Sequence, residues 1–172
     1  MGKSNLAKRE DDVSLEFTKT PDEAKELWTA ALRSDQYKQG HMYLCCRNRY
    51  CCLGVAIEVA MENEPAIKKR LMKKTAVDQD VNPMVTRHLY IDKKTKDECD
   101  VDLPHVVQRW LNLFDSYGSL RKDADPHPTD HSLYALNDWE RWNFRQIANF
   151  IDENWQGLQV KDEEGQRMAH SA

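Results

Sequence analysis

Asn143 is followed three positions on by Gln146, and behind that pair Phe144, Ile147, Ala148, Ile151 and Trp155 recur at helical spacing. The pair resembles a capping box, in which each side chain takes a main-chain N–H of the other residue. The apolar residues fall on one stripe, so the segment reads as a helix whose face must be buried against other elements. Gly157 suits its stop. This is the clearest helical stripe in the chain, and it points to a fold in which helices share the core.

A second rod stands near the other end. Thr20, Pro21 and Glu23 make a helix start, with Thr20 as cap and Pro21 in the first turn. Ala24, Leu27, Trp28, Ala31 and Leu32 then share one face, and the helix fades near Ser34, with Gly40 marking a break. Residues 42–46 and 50–53 read as short strands joined through Arg47, Asn48 and Arg49. Residues 55–61 are apolar enough for a buried helix. Pro65 restarts a helix expected to run to about residue 74, with Ile67 and Leu71 on its inner side. Residues 75–83 read as loop, and residues 88–91 and 99–103 as a second hairpin around 93–96. Pro104 opens a helix capped from Asp102 or Leu103, with Val106, Val107, Trp110, Leu111 and Phe114 on its apolar face. A long loop over 115–130 precedes a short helix over 133–139. The fold class is α+β: a single domain with five or six helices packed around one or two small antiparallel β-hairpins.

Length agrees with one domain. The 172 residues divide into a polar arm over 1–14, a globular domain over 15–158 and a polar tail over 159–172. Twenty-five Lys and Arg against 29 Asp and Glu give a net charge of −4, which does not indicate nucleic acid as a partner. No apolar run approaches the roughly 20 residues of a membrane span, so no membrane partner is expected. Five cysteines without a secretory leader point to a reducing, cytoplasmic setting with free thiols.

Four of those cysteines stand in C-C-R-N-R-Y-C-C, and three readings apply. Adjacent strand residues diverge to opposite faces, so a zinc site would draw on Cys46 and Cys51 and need help from His41 or Cys99. Cys51 or Cys52, just before a helix, could instead be a nucleophile activated by the helix N-terminus, with His88 as base and Asp92, Asn137 or Asp138 orienting it. The third reading is plain burial of small apolar thiols. Asp125, His127, Asp130 and His131 hold metal-ligand types, although prolines and a helix start nearby favour a turn and a cap. Lys68, Lys69, Arg70, Lys73 and Lys74 read as the solvated face of their helix or as a phosphate contact. Asn137 and Asp138 close a short helix and either cap main-chain groups or line a ligand cleft. Trp28, Trp110 and Trp155 lie on apolar stripes. Trp139 and Trp142 do not, and are candidates for an aromatic contact surface.

Four blocks stand in order: W-T-A-A-L-R-S-D-Q-Y-K-Q-G over 28–40, R-Y-C-C-L-G-V-A over 49–56, V-D-L-P-H-V-V-Q-R-W-L-N-L over 101–113, and L-N-D-W with F-R-Q-I-A-N-F-I over 136–151. As a set they resemble a family of small uncharacterised proteins of tailed bacteriophages and prophages. The chain departs from that family at Cys45 and Cys46, where ordinary strand residues are usual, and at 139–142, where a Ser/Gly turn is usual. The resemblance implies a phage origin and host-cell cytoplasm, and brings no activity with it. The resulting expectation is an accessory protein that acts by binding a host protein or a small nucleotide-like ligand, modulating a process such as defence or nucleotide signalling. Arg47, Arg49, Asn137, Asp138, Trp139 and Trp142 are its binding residues, with no cofactor. The alternatives are a thiol-dependent hydrolase built on Cys51 or Cys52 with His88, and a zinc-stabilised interaction module.

Overall fold

Thr20 Oγ1 accepts the N–H of Glu23 at 3.2 Å, and Glu23 accepts that of Thr20 at 3.1 Å. The first helix, α1 (Pro21–Arg33), therefore starts where its local chemistry puts it. The computed structural model describes residues 15–78, 85–124 and 131–161. The arm over 1–14, the tail from 162 onward, and Asp125, His127 and Asp130 lie outside the described residues. The last helix, α6 (Phe144–Leu158), opens with the same reciprocal pair, Asn143 and Gln146, at 2.8 and 2.9 Å. The two rods pack together. Trp155 Nε1 donates to Asp22 Oδ1 at 2.8 Å, and Arg33 pairs with Asp152 at 2.6 Å.

Between them the chain lays down β1 (Lys38–Gln39), β2 (Cys45–Cys46) and β3 (Arg49–Tyr50). Arg47 and Asn48 have φ of 51° and 59°, the left-handed pair that a two-residue hairpin turn requires. The central helix α2 (Cys52–Asn63) follows, buried on nearly every side of its first three turns. Gly54 allows its close approach to the sheet: a Cβ there would lie 1.9 Å from the carbonyl oxygen of Leu44.

Next come α3 (Pro65–Arg70), β4 (Leu71–Asp78), β5 (Val85–Asp92) and β6 (Glu98–Cys99). One sheet gathers all six strands in the order β1-β3-β2-β5-β4, with β6 also on β5. It is antiparallel except for β1 beside β3. The chain ends with α4 (His105–Leu111), α5 (Leu133–Asp138) and α6. The class is α+β in a single domain, with the expected hairpins joined into one mixed sheet because Cys46 of β2 pairs with Arg87 of β5.

Several expectations are corrected. The helix restarting at Pro65 stops at Arg70, where the N–H of Leu71 closes on Ile67, and residues 71–78 are strand rather than helix and loop. A partner strand pairs along eight residues at once, which outweighs the local preference of a Lys-rich segment for helix. Helix α4 begins one residue later than expected, with Pro104 and not Asp102 or Leu103 at its cap. Phe114 leaves the apolar face after the left-handed turn at Asn112 and stands 49% exposed. Gln159 and Val160, placed in the tail, are tied to Leu113 and Asn112. Trp28 and Trp110 are fully buried and Trp155 nearly so. Their indole N–H groups reach Cys52 O, Glu64 Oε2 and Asp22 Oδ1, which removes the cost of burying them.

Candidate functional site

Asn137, next to last in α5, is fully buried, and all but one of its hydrogen bonds go to other parts of the chain. Its Oδ1 accepts the main-chain N–H of Cys52 at 3.2 Å and Nε2 of Gln39 at 3.0 Å. Its Nδ2 donates to Gly40 O at 2.9 Å and to Asp138 Oδ1 at 2.7 Å. Gln39 also gives a hydrogen bond to Trp142 O at 2.7 Å, and its own carbonyl accepts Arg49 at 3.5 Å. Arg49, Asn137, Asp138 and Trp142 are thus linked around Gln39, with Asn137 and Asp138 acting from the interior. Trp142 is half-buried edge-on against Phe150, with ring centroids 5.8 Å apart. Trp139 stands apart at 64% exposure, and Arg47 occupies the hairpin turn.

The thiols sit deep. Cys51 caps α2, its Sγ accepting the N–H of Gly54 at 3.4 Å, so the predicted placement at a helix start holds. Burial nevertheless pushes the Cys51 thiol up to about 12, and Asp138 adds to the shift. Cys52 is also raised well above its ordinary value, by burial and then by Cys51, and its Sγ lies 3.5 Å from Leu133 O. Desolvation outweighs the helix end here, leaving both as thiols at neutral pH. His88 is elsewhere, on the sheet face, with Lys73 and Glu58 as its charged neighbours and Thr75 Oγ1 3.4 Å from Nδ1. The structure does not bring Cys51 or Cys52 together with His88. Asp92 is occupied in a buried pair with Arg70 at 2.8 Å, and it also holds the N–H groups of Lys94 and Thr95. Cys46 lies on β2, half-buried, while Cys51 is interior. Among the described residues no three His, Cys, Asp or Glu side chains converge in a group that could hold a metal ion.

What the sheet face does assemble is centred on Lys73. Cross-strand register sets Lys73 opposite Tyr90 and Thr75 opposite His88. Lys73 Nζ donates to Glu58 Oε1 of α2 at 2.7 Å and to Tyr50 Oη at 3.0 Å. Tyr90, fully buried, donates its O–H to the same Glu58 oxygen at 2.6 Å. The ammonium lies 5.0 Å from the ring centroid of Tyr50 and 5.8 Å from that of Tyr90, within cation–π range. Burial works against the charge, but the hydrogen bonds to Glu58 and Tyr50 more than offset it and hold Lys73 above its ordinary pKa. Burial, followed by the Glu58 charge, raises Tyr90 far out of its usual range. An ammonium has three donors, and among the described residues Lys73 uses two of them.

Tyr50 also touches Tyr37 edge to face, with centroids 5.2 Å apart. Tyr37 in turn lines a cleft of about 350 Å³ with Arg33, Asp35, Gln39, Phe144 and Arg145. That is within the range of small-molecule sites. Arg33 is tied to Asn149 and Asp152, while Arg145 is exposed at the cleft beside the start of α6. One pair of tyrosine rings therefore separates a fixed cation from a cleft with its own arginine.

The model of a domain of unknown function, DUF8296, matches residues 20–155. The chain belongs to that family. The DUF8296 stretch takes in Tyr37, Gln39, Tyr50, Glu58, Lys73, His88, Tyr90, Asn137 and Arg145, so the Lys73 cluster and the cleft both fall inside it. No curated protein and no solved structure matches the chain. The DUF8296 sequence had one signal for this cluster: Glu58 is the single charged residue between Cys52 and Met61 in an otherwise apolar helix. A buried carboxylate in such a run demands a partner. Among the described residues no helix is long and apolar enough to cross a membrane.

Proposed function

We propose that this DUF8296 protein acts by binding, and that its ligand is a small anion carrying a planar ring, of the nucleotide class. The observation that carries the reading is Lys73: a cation fixed by Glu58 and Tyr50, flanked by aromatic rings and using two of its three donors among the described residues. An ammonium held this way meets phosphate as a point charge without first being ordered. The cleft beyond Tyr37 offers a second cation, Arg145, and aromatic walls for a base. The resemblance to small proteins of tailed phages and prophages supports a phage-encoded accessory role in the host cytoplasm. There, sequestering a nucleotide signal or engaging a host protein would modulate defence or signalling.

The test is a panel of nucleoside mono-, di- and triphosphates and cyclic nucleotides, followed by thermal shift and calorimetry. A true ligand at about one hundred times its Kd stabilises the fold by about 2.7 kcal/mol. Arg145→Ala, at an exposed position, weakens binding about tenfold or more, and Lys73→Met abolishes it. Ala substitutions at Arg47, Arg49, Trp139 and Trp142 separate a wider surface from this cleft. If no member of the panel shifts the melting temperature, or if Arg145→Ala and Lys73→Met bind as the parent does, the reading fails.

A further inference from the structure

Strand β4 is the last of the sheet. It pairs with β5 over eight consecutive residues, from Leu71 opposite Asp92 to Asp78 opposite Val85, and among the described residues no strand pairs with its other side. Alternate main-chain groups of an edge strand point away from the sheet, so about half of the β4 N–H and C=O groups face outward. Folded proteins usually blunt such an edge with a proline, a bulge, a short strand or charged side chains, and of these β4 carries only charge, mainly lysine, which repels a like strand and not an acidic one. The sequence L-M-K-K-T-A-V-D has no proline, its register is unbroken, and it is long for a strand.

Charge marks what this edge would accept. Lys74 is exposed on the strand, and Lys68 and Lys69 are exposed on α3 just before it. Lys93, Lys94 and Lys96 are exposed in the turn after β5, ahead of exposed Asp97 and Glu98, and that turn is tied to the end of α3 by the N–H of Lys93 on Arg70 O at 2.9 Å. Beside the Leu71 end lies an open groove of about 730 Å³, lined by Leu15, Pro65, Ala66, Lys68, Lys69 and Arg70. A long regular edge, a basic border and an apolar groove therefore meet at one side of the molecule.

We propose that β4 receives an extended acidic segment of a partner protein as an added strand, its carboxylates facing Lys68, Lys69 and Lys74 and an apolar residue entering the groove. Main-chain pairing gives such a contact its affinity, and alternate side chains give it selectivity. A second copy of this chain is disfavoured, because it would bring its own Lys74 to the same edge. The edge is distinct from the cleft at Tyr37, and Lys73, on the same strand, is turned to Glu58 of α2 and is left unchanged in the test, so the two readings fail separately.

The test uses the full chain and a fluorescein-labelled peptide of alternating Glu and Val, read by fluorescence anisotropy. The same peptide N-methylated at every residue keeps its charges but has no main-chain N–H to give. The expected result is saturable binding that weakens about tenfold or more on N-methylation, and by a similar factor in the Lys68→Glu, Lys69→Glu, Lys74→Glu triple variant. All three lysines are exposed, and the Lys→Ala triple variant, which weakens binding less, guards against a folding defect. No binding, or equal binding of the N-methylated peptide, overturns strand addition. So does a single-stranded DNA oligonucleotide that binds more tightly than the peptide, or a dimer that excludes it.

Discussion

Asn137 Oδ1 accepts the main-chain N–H of Cys52 at 3.2 Å, across 85 positions of sequence. The end of one helix thus closes the first turn of another, and Gly40 and Gln39 are drawn into the same knot. Replacing Asn137 with Ala leaves the Cys52 N–H, the Gly40 carbonyl and a buried cavity without compensation. The expected loss is about 3 kcal/mol, read as a lower urea midpoint with unchanged slope. A loss below about 1 kcal/mol would mean that water replaces the amide, contrary to this account.

Cys51 and Cys52 stay silent toward alkylating reagents in the folded protein at about pH 7.5 and react on unfolding. Mass mapping of the labelled sites reads this directly. Their pKa values are raised by burial, Cys51 and also Cys99 to about 12, so the folded state holds protons that the unfolded chain has already lost. The stabilisation is whole below the unfolded thiol pKa of about 8.5 and drains away as pH climbs toward 12. Denaturation midpoints that are flat from neutral pH to about pH 11 would contradict it.

His88 titrates below its ordinary value, first because it is partly buried and then because Lys73 is near. A depressed imidazole contributes stability above about pH 6.5 that is lost as pH falls through the folded value. Lys73→Met removes a neighbouring cation and leaves Glu58 without its cationic partner, and both changes move the His88 pKa up. Proton NMR of the imidazole resonance gives the comparison. An unchanged or lower value in the variant would place Lys73 away from the ring.

Gly54→Ala sets a methyl carbon 1.9 Å from a main-chain oxygen of the sheet, where neither side has a flexible end to yield. The cost is about 3 kcal/mol or more, or failure to fold. Circular dichroism melts of this variant beside Ala56→Gly, a change within the same helix, separate the clash from simple helix propensity.

The two capped rods were legible because capping is local: Thr20 with Glu23, and Asn143 with Gln146, need only three positions of sequence. The Lys73 cluster was not. Ile67 and Leu71 sit one helical turn apart, so the segment reads as helix, and only a partner strand later in the chain turns Lys73 into a cross-strand neighbour of Tyr90. Glu58 and Tyr50 reach Lys73 from two further elements. Asn137 was singled out from its type and place, but nothing local says that its partners are Gln39, Gly40 and Cys52. A chemical group that saturates its bonds inside the fold and one that offers them outward look alike on a string of letters.

The carboxylate of Glu64 has a last consequence. It is 1% exposed, and its donors are the Thr18 N–H and hydroxyl, the Lys19 N–H and the indole of Trp110. Three of those four come from residues that precede the family's matched span, which starts at 20. A chain trimmed to 20–155 would leave that carboxylate with one of its four donors and sever Leu158 from Phe114 as well. The folding unit is therefore wider than the stretch by which its kin are recognised.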